Sequence, residues 1–301
     1  MAWPLLSSNK GTGPVPMNRK GTGALPNHLI PTRLSYAEDA LRIFSLPEVI
    51  LASPSGNAEK DAPDDISLAG DGFDTVIKAK MAVESVSKCK NKVSCADILA
   101  LAIRDVIVLS GGPDYKVELG RRDGRTSTKS SVGGHLPLAR FNYKQLRSMF
   151  ASHGLSEVDL IALSGAHTIG FSHCNQFSNR IYNYNSQSSI DPTLHQGYAK
   201  QLQQACPKGV DPRIAIALDP TSPQRFDNSF YKNIQQGKGL LASDQTLYTT
   251  RKSRRVVNAF ASNTTLFERE FIAAITRLGR VGVKTGKQGE VRHDCRVVNN
   301  L

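Results

Sequence analysis

No run of 18 apolar residues occurs in the 301-residue sequence, so no membrane-spanning helix is expected. None of the five cysteines (Cys89, Cys95, Cys174, Cys206 and Cys295) forms a C-x-x-C pair, which argues against structural zinc and thioredoxin chemistry. Five is odd, so at least one thiol has no partner within the chain. Zinc-finger spacing and aromatic RNA-binding motifs are also missing, so the net charge of +12 is not read as a nucleic-acid signal. Acidic polysaccharide is the other polyanion such a field attracts. The one tight basic run, Arg251, Lys252, Arg254 and Arg255, reads as a solvated helix face. Residues Met1 to Leu6 are followed by polar residues, with no charged segment before them, so no signal peptide is expected within this sequence.

Residues 1–35 are rich in Gly, Pro, Ser and Asn and repeat Lys-Gly-Thr-Gly at Lys10 and Lys20. That composition predicts a disordered segment. A phosphate-binding loop is set aside because the Gly-Lys-Ser/Thr ending and a preceding strand are lacking. From about residue 69 the pattern turns helical: Phe73, Val76, Ile77, Ala79, Met81, Val83 and Val86 keep roughly i, i+3, i+4 spacing. Ser94-Cys95-Ala96-Asp97 then opens an apolar stretch to Leu109, resembling a capping box with Asp in place of Glu. A helix apolar around most of its circumference is expected to be buried. Further helices are predicted at 143–153, 156–164, 196–205, 227–234, 253–260 and 264–279, with Val117-Glu118-Leu119 as the one short strand of the middle region. This predicts a mostly α architecture in one domain, residues 36–301.

The most informative stretch is Asp159-Leu160-Ile161-Ala162-Leu163-Ser164-Gly165-Ala166-His167-Thr168-Ile169-Gly170. A helix runs into glycine, and a histidine follows between small residues that let a flat ligand approach the imidazole. A lone histidine is more often structural than ligating. Here it stands in a series with Ser94 to Ala102 followed by Arg104-Asp105, with Leu119-Gly120-Arg121-Arg122-Asp123, with Phe226-Asp227-Asn228, and with Gly239 to Gln245. These motifs, in this order over about 250 residues, closely resemble those of the plant secretory (class III) haem peroxidases.

The resemblance implies two helical lobes sandwiching haem b, with minimal β structure. It implies that His167 is the axial iron ligand through Nε2 and that Asp244 accepts its Nδ1–H; such a partner makes the imidazole more basic. It places a proximal calcium on Thr168, Asp219, Ser222 and Asp227, whose oxygens suit a hard cation, and leaves Glu59 as a remnant of a distal calcium site. Pro137 matches a proline at the pocket mouth whose carbonyl faces the donor. Cys95–Cys295 and Cys174–Cys206 match two family disulfides, which leaves Cys89 free. The implied reaction is one-electron oxidation of phenolic donors by hydrogen peroxide, in a secreted monomer, with acidic cell-wall polysaccharide as a further partner.

One family element is not in the sequence. The resembling proteins carry a distal Arg, then Phe-His-Asp-Cys, then a Gly-Cys-Asp-x-Ser calcium loop. The agreement here begins abruptly near residue 48, and His28 and His135, the only histidines before His167, lie outside any such motif. Arg42 is the one basic residue resembling a remnant, and Pro47 would break a helix through it. Asp65 falls where relatives place the residue that orients the distal histidine. Peroxidase is therefore the leading reading. The rivals left open are a non-catalytic protein that binds haem and calcium, a basic wall-binding structural protein, and a truncated gene model.

Overall fold

The computed structural model describes residues 56–63, 65 and 70–299. The expectation of disorder in residues 1–35, and the residues Arg42 and His28, lie outside them. The described chain is mostly helical. Its longer elements are α1 (Gly70–Ser85), α2 (Cys95–Leu109), α3 (Tyr143–Ser152), α4 (Glu157–Ser164), the short α5 (Ser178–Ile181), α6 (Gln196–Ala205), α7 (Ser229–Gln235), α8 (Ala242–Thr249), α9 (Arg251–Ser262) and α10 (Thr264–Leu278).

Strand structure among the described residues is one antiparallel pair, β1 (Phe171–His173) and β2 (Ala215–Ala217), with Phe171 opposite Ala217. The strand expected at Val117-Glu118-Leu119 is not formed. Leu119 is 63% exposed, so no buried face selects a register for those three residues. Pairing starts just beyond, where Arg122 and Asp123 bridge to Lys284 and Glu290.

That pairing serves the start of α2. The Asp123 carboxylate accepts the N–H groups of Cys95 (3.1 Å), Ala96 (2.9 Å) and Arg292 (2.9 Å). Ser94 caps the same end, its hydroxyl accepting from the Asp97 N–H at 3.1 Å. The reciprocal half of the expected box is absent. The Asp97 carboxylate turns instead to the Gly120 N–H (2.7 Å) and to Arg121 (3.2 Å). Asp123 thus answers orphan donors of the helix, and both carboxylates sit at its positive end. The Cys95–Cys295 disulfide anchors the C-terminal segment to the same spot, with Cα atoms 5.7 Å apart.

Two larger apolar clusters form the core. One joins α2, α4, α7, α9 and α10 through Ile103, Leu160, Ile161, Tyr231, Phe260, Phe267 and Phe271. The other gathers Phe177, Ile181, Tyr198, Leu202, Leu240 and Leu241 around the Cys174–Cys206 disulfide. Cys89 forms no disulfide. Burial of α2 is less complete than expected, because its last turn leaves Val108 39% and Leu109 68% exposed. On α1, Met81 also faces outward, while Lys80 is buried, its ammonium donating to Glu84 (2.6 Å) and to the Val93 carbonyl (2.7 Å).

Candidate active site

Helix α4 delivers the histidine. Its start is a full capping box: the Asp159 N–H donates to the Ser156 hydroxyl at 3.1 Å and the Ser156 N–H to the Asp159 carboxylate at 2.8 Å. Arg277 of α10 also donates to Asp159, at 2.9 Å. Burial alone would raise the Asp159 carboxyl, but Arg277 and Ser156 outweigh it and hold the group below its ordinary value. At the other end a 3-10 turn, Gly165–Thr168, breaks the α-helix and carries His167. Gly165 is required by space, since a Cβ there would lie 2.3 Å from Tyr231 Oη and 2.6 Å from Phe267 Cε2. Tyr231 in turn donates its hydroxyl to the Ile161 carbonyl at 2.9 Å, which satisfies a terminal carbonyl of α4.

His167 Nδ1 lies 2.8 Å from Asp244 Oδ1. The Asp244 side chain is 4% exposed and the His167 side chain 27%, so the contact closes the buried end of a ring whose other end reaches outward. Phe230 meets the imidazole edge-on, with centroids 6.2 Å apart.

Asp244 rides in the first turn of α8, a helix whose start is held from three sides. The Ser243 N–H donates to the Ala139 carbonyl at 2.9 Å, which ties in the loop containing the half-buried Pro137. Gln245 accepts from the Gly239 N–H (3.1 Å) and donates to the Ile234 carbonyl (2.8 Å). Arg180, 1% exposed, pairs with Asp191 at 2.8 Å and donates to the Leu240 carbonyl at 2.9 Å. Helix α8 was not foreseen. Its buried face is Ser243, Asp244, Gln245 and Leu247, and a face that polar has no hydrophobic period to read. Arg180 and Gln245 were missed for a related reason: each acts on backbone carbonyls, which leave no side-chain pattern.

The β1–β2 register brings Asp219 beside Thr168, because Phe171 opposes Ala217 and the Leu218 N–H bonds the Gly170 carbonyl at 3.1 Å. Thr168 Oγ1 then lies 3.4 Å from Asp219 Oδ2, 3.4 Å from Asp227 Oδ1 and 3.3 Å from the Arg225 carbonyl. Ser222 Oγ is 3.2 Å from Asp227 Oδ1. One hydroxyl proton cannot serve three acceptors, and each of these separations is long for an O–H···O bond. The arrangement is a ring of oxygens about the Thr168 hydroxyl. Asp219 is oriented by the N–H groups of Thr221 (2.6 Å) and Ser222 (3.0 Å) and by Asn233 (2.8 Å). Burial raises the Asp219 carboxyl; the hydrogen bonds lower it, and the nearby Asp227 charge raises it further, leaving it above its ordinary value.

Glu59 lies in a different place, in a 3-10 turn (Glu59–Asp61) beside the small cluster of Ala62, Val132 and Leu136. Its carboxylate accepts from the Ser131 hydroxyl at 2.9 Å and its N–H donates to Ser127 at 2.9 Å. Asp65 is buried near it in sequence. The basic run on α9 is exposed, as expected, with Arg254 donating to the Tyr248 carbonyl at 2.9 Å.

The family model "Peroxidase" matches residues 48–263. This chain belongs to the peroxidase family. The match starts where the sequence changes character. Among relatives, Peroxidase 45 and Peroxidase 16 of Arabidopsis thaliana are each 62% identical to it over 251 residues. That is 83% of this chain and 76% and 77% of the respective relatives. Peroxidase 73 of the same plant is 57% identical over 251 residues. A peroxidase of this class carries haem and calcium, and the residues present fit both groups. The imidazole has Nδ1 engaged by a buried carboxylate, as metal-bound histidines have. The Thr168 ring is made only of carboxylate, hydroxyl and carbonyl oxygens, the donor type of a hard cation. Among the described residues no three His, Cys, Asp or Glu side chains cluster as a metal cage, so calcium would rely on the hydroxyl and carbonyl oxygens.

Proposed function

We propose that this chain is a secreted haem peroxidase that takes hydrogen peroxide as oxidant and small phenols as donors, with His167 as the axial ligand of haem b. The single observation that carries the assignment is the 2.8 Å contact between His167 Nδ1 and Asp244. With Nδ1–H donated to Asp244, the ring presents Nε2 to iron and is richer in electrons than a neutral imidazole hydrogen-bonded to water. Bound haem supplies the redox chemistry, accepting electrons from donors and passing them to peroxide. The chain's own residues hold and tune it. Asp244 keeps the tautomer and the ring angle, and its burial keeps water from competing for the Nδ1 proton. Thr168, Asp219, Ser222 and Asp227 hold a calcium one residue beyond the ligand, which fixes the 3-10 turn on which the imidazole sits. Pro137 lies at the mouth, its loop tethered to α8 through Ala139, and offers its carbonyl to the donor. Glu59 supports what remains of a second calcium site. The two disulfides fit an oxidising compartment. No helix among the described residues is long and apolar enough to cross a membrane. The protein works as a monomer whose exposed basic residues favour acidic wall polysaccharide over nucleic acid.

A second reading has one specific observation in its favour. The sequence contains no Phe-His-Asp-Cys motif, so no positioned base is identified for moving a proton between the peroxide oxygens. A protein with the same His167 and calcium sites and slow turnover would be a haem- and calcium-binding protein. The test is haem titration of the full chain, followed by phenol oxidation with hydrogen peroxide. Stoichiometric haem uptake that His167→Ala abolishes or shifts in the visible spectrum supports the assignment. Uptake unchanged in that variant overturns it.

A further inference from the structure

We propose that His135 and His153 form a binding site for a divalent transition ion of the imidazole-preferring class, copper(II) or zinc(II), separate from the haem and calcium sites. Their rings lie with centroids 5.0 Å apart and planes inclined by 30°. Neither ring makes a hydrogen bond among the described residues, and His153 Nε2 is withdrawn from solvent with no partner. A buried ring nitrogen without a partner costs free energy that a ligand would recover.

The spacing suits one shared ion. A nitrogen about 2.0–2.1 Å from the ion puts its ring centroid about 3.2 Å away, so two bound rings are about 4.5 Å apart at a right angle and about 5.2 Å apart at a tetrahedral angle. The observed 5.0 Å falls between them. Ring stacking alone also permits this separation, but it supplies no partner for His153 Nε2.

The backbone holds both residues before any ion arrives. The His135 N–H donates to the Val132 carbonyl at 3.1 Å, and Val132 and Leu136 are buried with Ala62. His153 caps the C-terminus of α3, and the Leu155 N–H closes over it onto the Phe150 carbonyl at 2.9 Å. Gly154, at φ 73°, makes that closure possible. A pre-set pair loses little conformational freedom on binding. An ion between the rings would tie the loop that holds Pro137 to the turn that leads into α4.

The donor set decides the class of ion. Imidazole nitrogen suits copper and zinc, whereas calcium and magnesium prefer oxygen. No third His, Cys, Asp or Glu joins the pair among the described residues, so water completes the coordination. Affinity then follows the general order, copper above zinc.

The test titrates the full chain, in excess calcium chloride and without peroxide, with copper(II) or zinc(II) chloride against a chromophoric chelator. Wild type should bind an ion that His135→Ala and His153→Gln each weaken by at least about tenfold, because even an outer-sphere partner of a metal is worth about that much. His293→Ala, a change at an exposed histidine, should leave this binding as it is. Pulsed electron paramagnetic resonance of the copper form should show two imidazole nitrogens. Hydrogen exchange of residues 132–138 and 153–155 should slow when zinc binds. His135 lies in a loop, so His135→Ala decides the matter if His153→Gln fails to fold. Absence of binding by wild type overturns the inference, as does equal affinity in wild type and His135→Ala. So does an ion that binds without protecting either segment.

Discussion

Two buried carboxylates bracket the segment that carries His167, and their surroundings are opposite. Asp159 stands at the head of α4, capped by Ser156 and held by Arg277, so its charge is answered and its carboxyl lies below the ordinary range. Asp219 stands at the tail, beside Thr168. It receives backbone and amide N–H groups but no cation among the described residues, and burial together with the nearby Asp227 carboxylate leaves its carboxyl above the ordinary range. The first arrangement is complete as it stands and serves stability. The second leaves two carboxylates close to one hydroxyl, a crowding of negative charge that a divalent ion would relieve. The bracketed segment is therefore fixed at its head by the protein alone, while at its tail the proposed calcium would complete what the protein leaves open. Perturbed buried groups that lack a counter-charge mark functional sites more reliably than those that have one.

The largest expected effect tests how much chemistry the bracketed segment performs without a partner for proton transfer. Holding iron does not move a proton between peroxide oxygens, and a positioned general acid–base is worth about 10²–10⁴-fold. Haem-loaded protein of this sequence should react with hydrogen peroxide more slowly than an intact secretory peroxidase by at least that order, as read by stopped-flow spectroscopy. An equal rate would point to a substitute base, with His28 and Arg42 the first residues to replace.

The next effect separates the two carboxylates. Asp159→Ala removes a cap and the partner of Arg277, and should cost about 2–3 kcal/mol in urea unfolding, less than a fully buried pair because Arg277 is partly solvated. The loss should be the same with and without calcium. Asp219→Asn should behave in the opposite way. Without calcium it relieves repulsion with Asp227 and leaves stability unchanged or slightly raised. With calcium at 100 times its dissociation constant, the wild type should gain about 2.7 kcal/mol that the variant lacks. Equal calcium responses in the two proteins would remove Asp219 from the ion site.

The smallest effect is a matter of sign. The Asp159 carboxyl is lower in the folded state than its ordinary 3.8, so its stabilisation is present above pH 3.8 and is lost as pH falls through the folded value. Asp219 is raised, so in calcium-free protein its ionisation opposes folding above its ordinary 3.8, and that penalty is relieved as pH falls through the folded value. Asp159→Asn should therefore flatten the acid limb of the stability curve, while Asp219→Asn in chelator should steepen it. Thermal melts between neutral and acid pH check both directions.

Much of this organisation was legible in the residues. The helix expected at 156–164, its end at Gly165, and the helix expected at 264–279 rest on local signals, and the structure follows them within a residue or two. Helix α7 starts at Ser229, two residues later than its pattern predicts, because the Asp227 carboxylate accepts the Ser229 N–H at 2.7 Å and ends the preceding loop there. The segment 117–119 alternates like a strand but has no buried side to hold it. Helix α8 was illegible because its inward face is polar. The half-box at Ser94 went a different way from its motif because Gly120 and Arg121, remote in sequence, compete for the Asp97 carboxylate.

The sequence by itself determined the family, the order of the helices and the identities of the residues that could hold iron and calcium, because helix periods, caps and short motifs are carried by neighbours along the chain. Only the tertiary structure decided that Asp244 meets His167 from 77 residues away and that Asp219 meets Thr168 from 51 residues away. Those distances are set by the β1–β2 register, by Arg180 and Gln245 gripping backbone carbonyls, and by the packing of α4 on α10, none of which exists until the chain has closed on itself.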